Sequence, residues 1–439
     1  MNPTSNAASS QAPSNILGIE SKSIHAARKP LQGKARRESQ DSRYALQRRA
    51  QRILWHSGEG KRQRHRVTHC GRSIKGDVVN CYRQVDGEGS RFAGVMQCGS
   101  GWTCPICSIK VAEARRGELK AALAKQIAAG GRVQLLTLTF PHEFDMPLAD
   151  LMGKFDKARQ KFKNSRTYKR ISAQAGRLGN VASLEVTFGR NGWHPHLHEL
   201  IFSGAGIDGE SVKLPDRAEG MSALTGSAYE LAAQWCKSLI ASGLGSQAQI
   251  TEMMEHALDL RGGEWAAAYI TAFGEEEDWG LSSEVIGTGK DANAGNVTPF
   301  GLLRLSVKGE EIRVGGEWVD PAAKFKEFAD AFHGKRLLSW SRGLRAHFGM
   351  DEEADDAKEK MLESLAPEDF VATLTPEDWR LVLTRDARGE LLEYLRADCV
   401  CKETGQQDVD DFLESLKRRP EVVRRAWFYQ PMQPRPRHV

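Results

Sequence analysis

The sequence predicts an α+β fold: a central antiparallel sheet with flanking helices, preceded by a small zinc knuckle and followed by a helical tail. Three observations carry this reading. The run Trp193-His194-Pro195-His196-Leu197-His198 places histidines at alternate positions before apolar Leu200, Ile201 and Phe202, the period of a strand entering a core. Residues 181–188 have similar strand character, and Arg190-Asn191-Gly192 between the two suits a hairpin, because Asn-Gly favours tight turns. Segments of helical spacing lie before and after this pair, so helices pack against an antiparallel sheet.

The elements follow in order. Residues 1–20, rich in Asn, Ser, Ala, Pro and Gln, cannot bury enough apolar surface to order themselves. Residues 21–66 form a basic arm, helical around 44–54, and residues 70–107 hold five of the eight cysteines. Over residues 108–129, Ile109, Leu119, Leu123 and Ile127 recur at helical spacing, and Gly130-Gly131 stops the helix. Residues 132–140 are apolar and β-branched, a buried strand closed by Pro141. Leu151, Phe155, Ala158 and Phe162 mark the apolar face of a helix whose other face carries Lys154, Lys157, Lys161 and Lys163. After the hairpin, residues 204–227 read as an inserted loop and 229–240 as a helix, with further strands near 248–254, 281–286 and 303–307. From Lys324 the tail reads as mostly helical: Thr375-Pro376-Glu377-Asp378 combines a cap, a first-turn proline and first-turn acids, and Ser364-Leu365-Ala366-Pro367-Glu368-Asp369-Phe370 echoes it. The divisions expected are 1–66, 67–110, 111–310 and 311–439.

Charge and cysteine usage bound the chemistry. The net charge of +5 says little as an average, but basic residues crowd positions 27–66 while 351–411 is acidic, so the front half suits a polyanion. No stretch approaches the roughly 18 apolar residues that span a bilayer, and no apolar signal core opens the chain. A soluble intracellular protein is expected, in which cysteines serve metal binding or plain burial. Cys98, Cys104 and Cys107, ending in Cys-Pro-Ile-Cys ahead of a helix, suit a knuckle around Zn²⁺, with Cys70 as fourth ligand and Cys81 close behind. Cys236, Cys399 and Cys401 read as ordinary thiols.

The strand histidines supply the second constellation. His194, His196 and His198 point one way, and pairing across the hairpin brings Glu185 beside His196 and His198. A carboxylate beside two imidazoles suits a divalent cation such as Mn²⁺ or Mg²⁺ with open positions for substrate. In Glu264-Trp265-Ala266-Ala267-Ala268-Tyr269-Ile270-Thr271, a strong helix former, Tyr269 is either a core aromatic or a nucleophile toward phosphorus.

Taken in order, these motifs resemble the rolling-circle replication initiators of plasmids and phages in the HUH endonuclease superfamily, specifically the single-tyrosine plasmid group. The matching segments are Leu136-Thr137-Leu138-Thr139-Phe140-Pro141-His142, Gly192-Trp193-His194-Pro195-His196-Leu197-His198 and Ala267-Ala268-Tyr269-Ile270-Thr271, together with the cysteine pattern from Cys98 to Cys107. Trp279-Gly280-Leu281-Ser282-Ser283-Glu284, Lys290 and Thr298-Pro299-Phe300 extend the likeness, which runs from Cys70 to Gly349. The resemblance implies an HUH-type sheet, a nuclease domain over 111–310, and a cation held by His196, His198 and Glu185. It implies that Tyr269 attacks a phosphodiester of plasmid or phage origin DNA at a single-stranded or hairpin nick site, leaving a 5′-phosphotyrosine and a free 3′ hydroxyl for the host polymerase, with a host helicase as a further partner, in the bacterial cytoplasm. The strand is later rejoined. Lys154, Lys157 and Lys161 are expected on the DNA. Two departures stand out: the group's lysine three residues after the tyrosine is Ala272 here, and Glu264, the candidate for activating water at termination, sits five residues before Tyr269 and so well off its helix face. The competing readings are an HUH transposase or relaxase, a zinc-containing DNA-binding repressor with a vestigial site, and a nuclease that hydrolyses through metal-bound water.

Overall fold

The computed structural model describes residues 33–55, 65–85, 89–209, 212–213, 222–272, 296–307, 309, 311–314, 316–350, 368–396 and 404–422. The motif residues Trp279 to Glu284 and Lys290, the expected strand at 281–286, and Cys399 and Cys401 lie outside them.

In chain order the front half runs α1 (Gly33–Leu54), β1 (Val79–Gln84), β2 (Ser90–Ala93), α2 (Pro105–Ala128), β3 (Arg132–Leu138), α3 (Leu148–Asn164), α4 (Arg166–Gln174), β4 (Arg177–Gly189) and β5 (Gly192–Ser203). A two-residue ribbon, β6 (Val212–Lys213) with β7 (Ser222–Ala223), stands within the expected loop. Then come α5 (Gly226–Ile240), α6 (Ile250–His256), β8 (Leu258–Arg261), α7 (Gly263–Ala272) and α8 (Pro299–Ser306). The rest is β9 (Ile312–Val314), β10 (Glu317–Val319), α9 (Pro321–Ala331), β11 (Leu338–Trp340), α10 (Leu344–His347), β12 (Glu368–Leu374), α11 (Pro376–Thr384), α12 (Arg388–Tyr394) and α13 (Gly405–Lys417).

The central sheet has five strands in the order β11-β4-β5-β3-β8, all neighbours antiparallel. The hairpin holds, but not through a primed turn. Its ladder closes at Gly189 opposite Gly192, and neither Arg190 nor Asn191 takes a positive φ. Gly192 does, at φ 82°, and a Cβ there would lie 2.5 Å from the Phe144 carbonyl oxygen, so the residue opening β5 has to be glycine.

Helices cover both faces. On the side to which Trp193, Leu197 and Glu199 point lie α3, α5 and α9: Lys163 of α3 pairs with the buried Glu199 at 2.7 Å, and Phe155 of α3 meets Trp235 of α5 with ring centroids 5.8 Å apart. Leu151, Phe155, Ala158 and Phe162 are buried there as their spacing requires, and each large side chain contributes about 1.5–3 kcal/mol through burial. On the other side, α2 and α7 lie against β3.

Four local expectations fail for identifiable reasons. The segment 248–254 is a 3₁₀ turn running into α6, and the strand follows at β8, where Leu258 and Leu260 face the core and Asp259 and Arg261 do not. Residues 303–306 belong to α8, which Thr298 caps by accepting from the Gly301 amide and which Pro299 opens; that helix grammar outweighs a short apolar run. Glu368 to Phe370 is not a helix start but the beginning of β12, which pairs antiparallel with β1. Finally, α1 begins at Gly33, well ahead of the expected residue 44. The Thr375 start is as read, with the Thr375 and Asp378 side chains each bonding the other's backbone amide.

Strand β12 joins β1 and β2 in a second, three-stranded sheet over its own core, which includes Cys81, Phe92, Trp379, Leu391 and Phe412. No helix among the described residues is long and apolar enough to cross a membrane.

Candidate active site

Strand pairing builds the site. Glu185 on β4 lies directly opposite His196 on β5, and His198 lies between Ser183 on one side and Thr137 of β3 on the other. Because successive side chains alternate, His194, His196 and His198 share the face opposite Trp193 and Leu197, which are fully buried. Glu185 Oε2 is 3.1 Å from His196 Nε2 and 3.4 Å from His198 Nε2. One donor atom from each of the three residues lies within 4.8 Å of the others, so the group could hold a metal ion.

The surroundings suit that task. Thr137 Oγ1 is 2.9 Å from His198 Nδ1. When the hydroxyl accepts from Nδ1–H, a neutral His198 carries its lone pair on Nε2, ready for a cation; when the hydroxyl donates to Nδ1, Nε2–H donates to Glu185. His196 Nδ1 is buried without a hydrogen-bond partner, so its Nε2 is the nitrogen directed at the carboxylate. Loss of hydration opposes ionisation of Glu185, but hydrogen bonds from His196 and His198 outweigh it and hold the carboxyl well below the usual range. His194 stands one step along the strand, its ring centroid 4.8 Å from that of His142, and desolvation followed by repulsion from His196 and His142 lowers its pKa to about 4.

Helix α7 brings Tyr269 over this cluster. The ring centroids of Tyr269 and His198 are 4.9 Å apart, and the phenol donates to Glu185 Oε1 at 3.3 Å. One carboxylate therefore touches both imidazoles and the Tyr269 phenol. Glu264 is exposed on the first turn of the same helix, away from this contact, as its five-residue offset requires. Lys154, Lys157 and Lys161 ride on α3, which covers the opposite face of the sheet, and the Lys161 ammonium donates to the Ala241 carbonyl. The structure does not bring these lysines to the histidines.

Several neighbours escaped sequence reading. Asp259 on β8 pairs with Thr137 in register and so shares its face; its Oδ1 is buried without a partner while Oδ2 accepts from Arg261 Nε at 2.6 Å. The Arg261 guanidinium in turn lies 4.1 Å from the ring centroid of Trp265, which is half-exposed one helical turn before Tyr269. The missing signal was strand β8 itself, too short for alternation to show.

The second cluster is buried. Cys70, Cys98, Cys104 and Cys107 bring their sulfurs within 4.8 Å of one another. Cys70 Sγ is 3.6 Å from Cys107 Sγ and 3.7 Å from Cys104 Sγ. A tetrahedral site with 2.3 Å metal–sulfur bonds has edges of about 3.8 Å, so the spacing fits a tetrathiolate metal site such as zinc prefers. Burial disfavours a thiolate at Cys104, yet hydrogen bonds from Cys107, Cys70 and Cys98 outweigh it and bring its thiol well below the ordinary value. Gln51 of α1 donates to the carbonyls of Val67 and Cys70 at 3.0 and 2.9 Å, tying the cysteine segment to the long helix. Cys81 takes no part, because its strand carries it into the second core, where burial raises its thiol to about 12. Cys236 is buried on α5, outside both clusters.

The chain is similar to "Protein rep" of Streptomyces lividans, with 29% identity over 310 residues, 60% of this chain and 66% of that protein. It is also similar to "Neomycin resistance protein" of Streptomyces cyanogenus, with 27% identity over 142 residues, 27% of this chain and 32% of that protein. The chain thus spans just under two thirds of the length of the first relative and about a third of the second. No protein-family model matches it, and no solved structure does.

Proposed function

We propose that this protein is a rolling-circle replication initiator of the HUH endonuclease type, which nicks one strand of plasmid or phage origin DNA with Tyr269 and later rejoins it. The observation that carries the reading is the shared carboxylate: Glu185 meets His196 and His198 through Oε2 and the Tyr269 phenol through Oε1. Similarity to a protein named for replication supports the biological setting. The five-stranded antiparallel sheet with paired histidines on a central strand supports the HUH architecture. The nuclease domain then spans 111–310, with β11 adding an edge strand from the tail.

In the nicking step, a bond forms between the Tyr269 oxygen and the scissile phosphorus as the bond from phosphorus to the 3′ oxygen breaks. Glu185 Oε1 accepts the phenol's hydrogen bond and so orients it, the phenolic proton leaves to solvent, and the departing 3′ oxygen takes a proton from solvent. The DNA is left with a 5′-phosphotyrosine and a free 3′ hydroxyl that a host polymerase extends. Thr137 fixes His198, and the His198 ring supports the Tyr269 ring, so the nucleophile is positioned by groups that are themselves held. His196, His198 and Glu185 would hold Mn²⁺ or Mg²⁺, which when bound neutralises phosphate charge and orients the in-line attack. Cys70, Cys98, Cys104 and Cys107 would hold a structural Zn²⁺.

The test is incubation with supercoiled origin DNA and Mn²⁺, followed by a denaturing gel and peptide mapping. A covalent adduct mapped to Tyr269 is expected. Nicking without any adduct would replace transesterification by hydrolysis, and origin binding without nicking would favour a repressor with a vestigial site.

A further inference from the structure

Arg388, the first residue of α12, is 2% exposed and pairs with no carboxylate among the described residues. Its Nη1 donates to Gln47 Oε1 at 2.8 Å and to the Gly71 carbonyl at 3.3 Å, and its guanidinium carbon lies 4.2 Å from the Tyr44 ring centroid. All three partners are uncharged. A guanidinium sealed from water with only neutral partners is costly, since nothing replaces its lost hydration at full strength.

The cysteine cluster lies one amide side chain away. Gln47 donates from its other side to Cys104 Sγ at 3.4 Å, so a single amide bridges the guanidinium and a sulfur. Gly71 follows Cys70 directly, and a Cβ at that position would stand 2.9 Å from Arg388 Nη1; its absence lets the cation reach the backbone of the cysteine segment. Four thiolates around a divalent cation keep two negative charges in excess, which in a dry interior need a partner as much as Arg388 does.

We infer that Arg388 is the counter-cation of a metal–tetrathiolate centre at Cys70, Cys98, Cys104 and Cys107, and that the bound cation thereby fastens the C-terminal unit, β12 to α13, onto the cysteine segment. This rests on the reading of that cluster as a metal site. Arg388 is a positioning residue: it acts on the centre through Gln47 and the Gly71 backbone. The coupling runs both ways, because whatever the charge of Arg388 contributes to metal affinity the metal returns to the seating of α12.

The experiment begins with the metal content of the purified full chain. About one zinc per chain is expected; no metal at all would remove the metal reading and this inference with it, a result distinct from those that follow. Zinc affinity is then measured by competition with a chromophoric chelator. Arg388→Met should weaken binding about 10–100-fold, the usual effect of losing an outer partner of a metal ligand, with Arg388→Lys recovering most of it. In cobalt-loaded protein the thiolate-to-metal charge-transfer band should shift in the Met variant and stay in place in the Lys variant, a response that lost packing alone does not produce. A second arm uses only wild type: hydrogen exchange before and after zinc extraction, with β12 and α12 losing protection while β4 and β5 keep theirs. A folded Met variant with unchanged zinc affinity, or C-terminal amides equally protected without zinc, overturns the inference; if the Met variant does not fold, the exchange arm decides.

Discussion

Replacing Thr137 by valine removes one oxygen beside the candidate metal ligands and leaves the shape of the side chain nearly unchanged. Valine is as well suited to a strand as threonine, so β3 should keep its register between β5 and β8. What disappears is the 2.9 Å contact to His198 Nδ1, the contact that leaves the other nitrogen free to coordinate. A neutral hydrogen bond contributes about 0.5–1.5 kcal/mol net. Loss of an outer partner of a ligating histidine costs about 10–100-fold in metal affinity, or roughly 1.4–2.7 kcal/mol. The two ranges overlap near tenfold. The lower end is favoured here because Tyr269, with its ring centroid 4.9 Å from that of His198, still confines the imidazole from one side. Titration calorimetry of Mn²⁺ into both proteins should therefore show about tenfold weaker binding in Thr137→Val, with thermal unfolding changed little. Nicking plotted against Mn²⁺ concentration should shift by the same factor and reach the same plateau. Equal Mn²⁺ affinity in the two proteins would refute the argument, as would a lowered plateau with unchanged half-saturation.

Tyr269→Phe keeps the ring against His198 and removes only the hydroxyl, so it should fold, retain zinc and bind origin DNA while giving no adduct on a denaturing gel. His196→Ala combined with His198→Ala should abolish nicking yet leave origin binding nearly intact in a gel-shift assay, since affinity for DNA rests on basic surface more than on the cation. Cys104→Ala opens the tetrathiolate and should release about one zinc per chain, measured by metal analysis, with a drop in solubility. Thr375→Ala removes the hydroxyl that caps the Asp378 amide at α11, while the backbone amide of residue 375 still donates to Asp378; it should cost about 1 kcal/mol, read as a lower unfolding midpoint with no change in metal content.

Part of this protein is decided by local sequence. A strand has a side-chain period of two wherever it is placed, so alternation alone sets His194, His196 and His198 on one face, and a short hairpin fixes Glu185 opposite His196. The apolar stripe of α3 and the cap at Thr375 are equally local, because a helix turn is completed within four residues. Tertiary structure decides what depends on which segments meet. Cys70 and Cys81 are chemically alike and both lie upstream of the knuckle; Cys70 joins the cluster because β12, from near the far end of the chain, pairs with β1 and draws Cys81 into a different core. Lys154, Lys157 and Lys161 are outward by their spacing, but helical periodicity does not say which side of a sheet the helix will cover, and α3 covers the side away from the histidines. Tyr269 meets Glu185 across 84 residues of sequence, and that contact exists only because β8 adds to the sheet edge and turns directly into α7. A side chain's face follows from its own few neighbours, whereas its partner across the site follows from how distant strands share backbone hydrogen bonds and how helices bury their apolar sides against them.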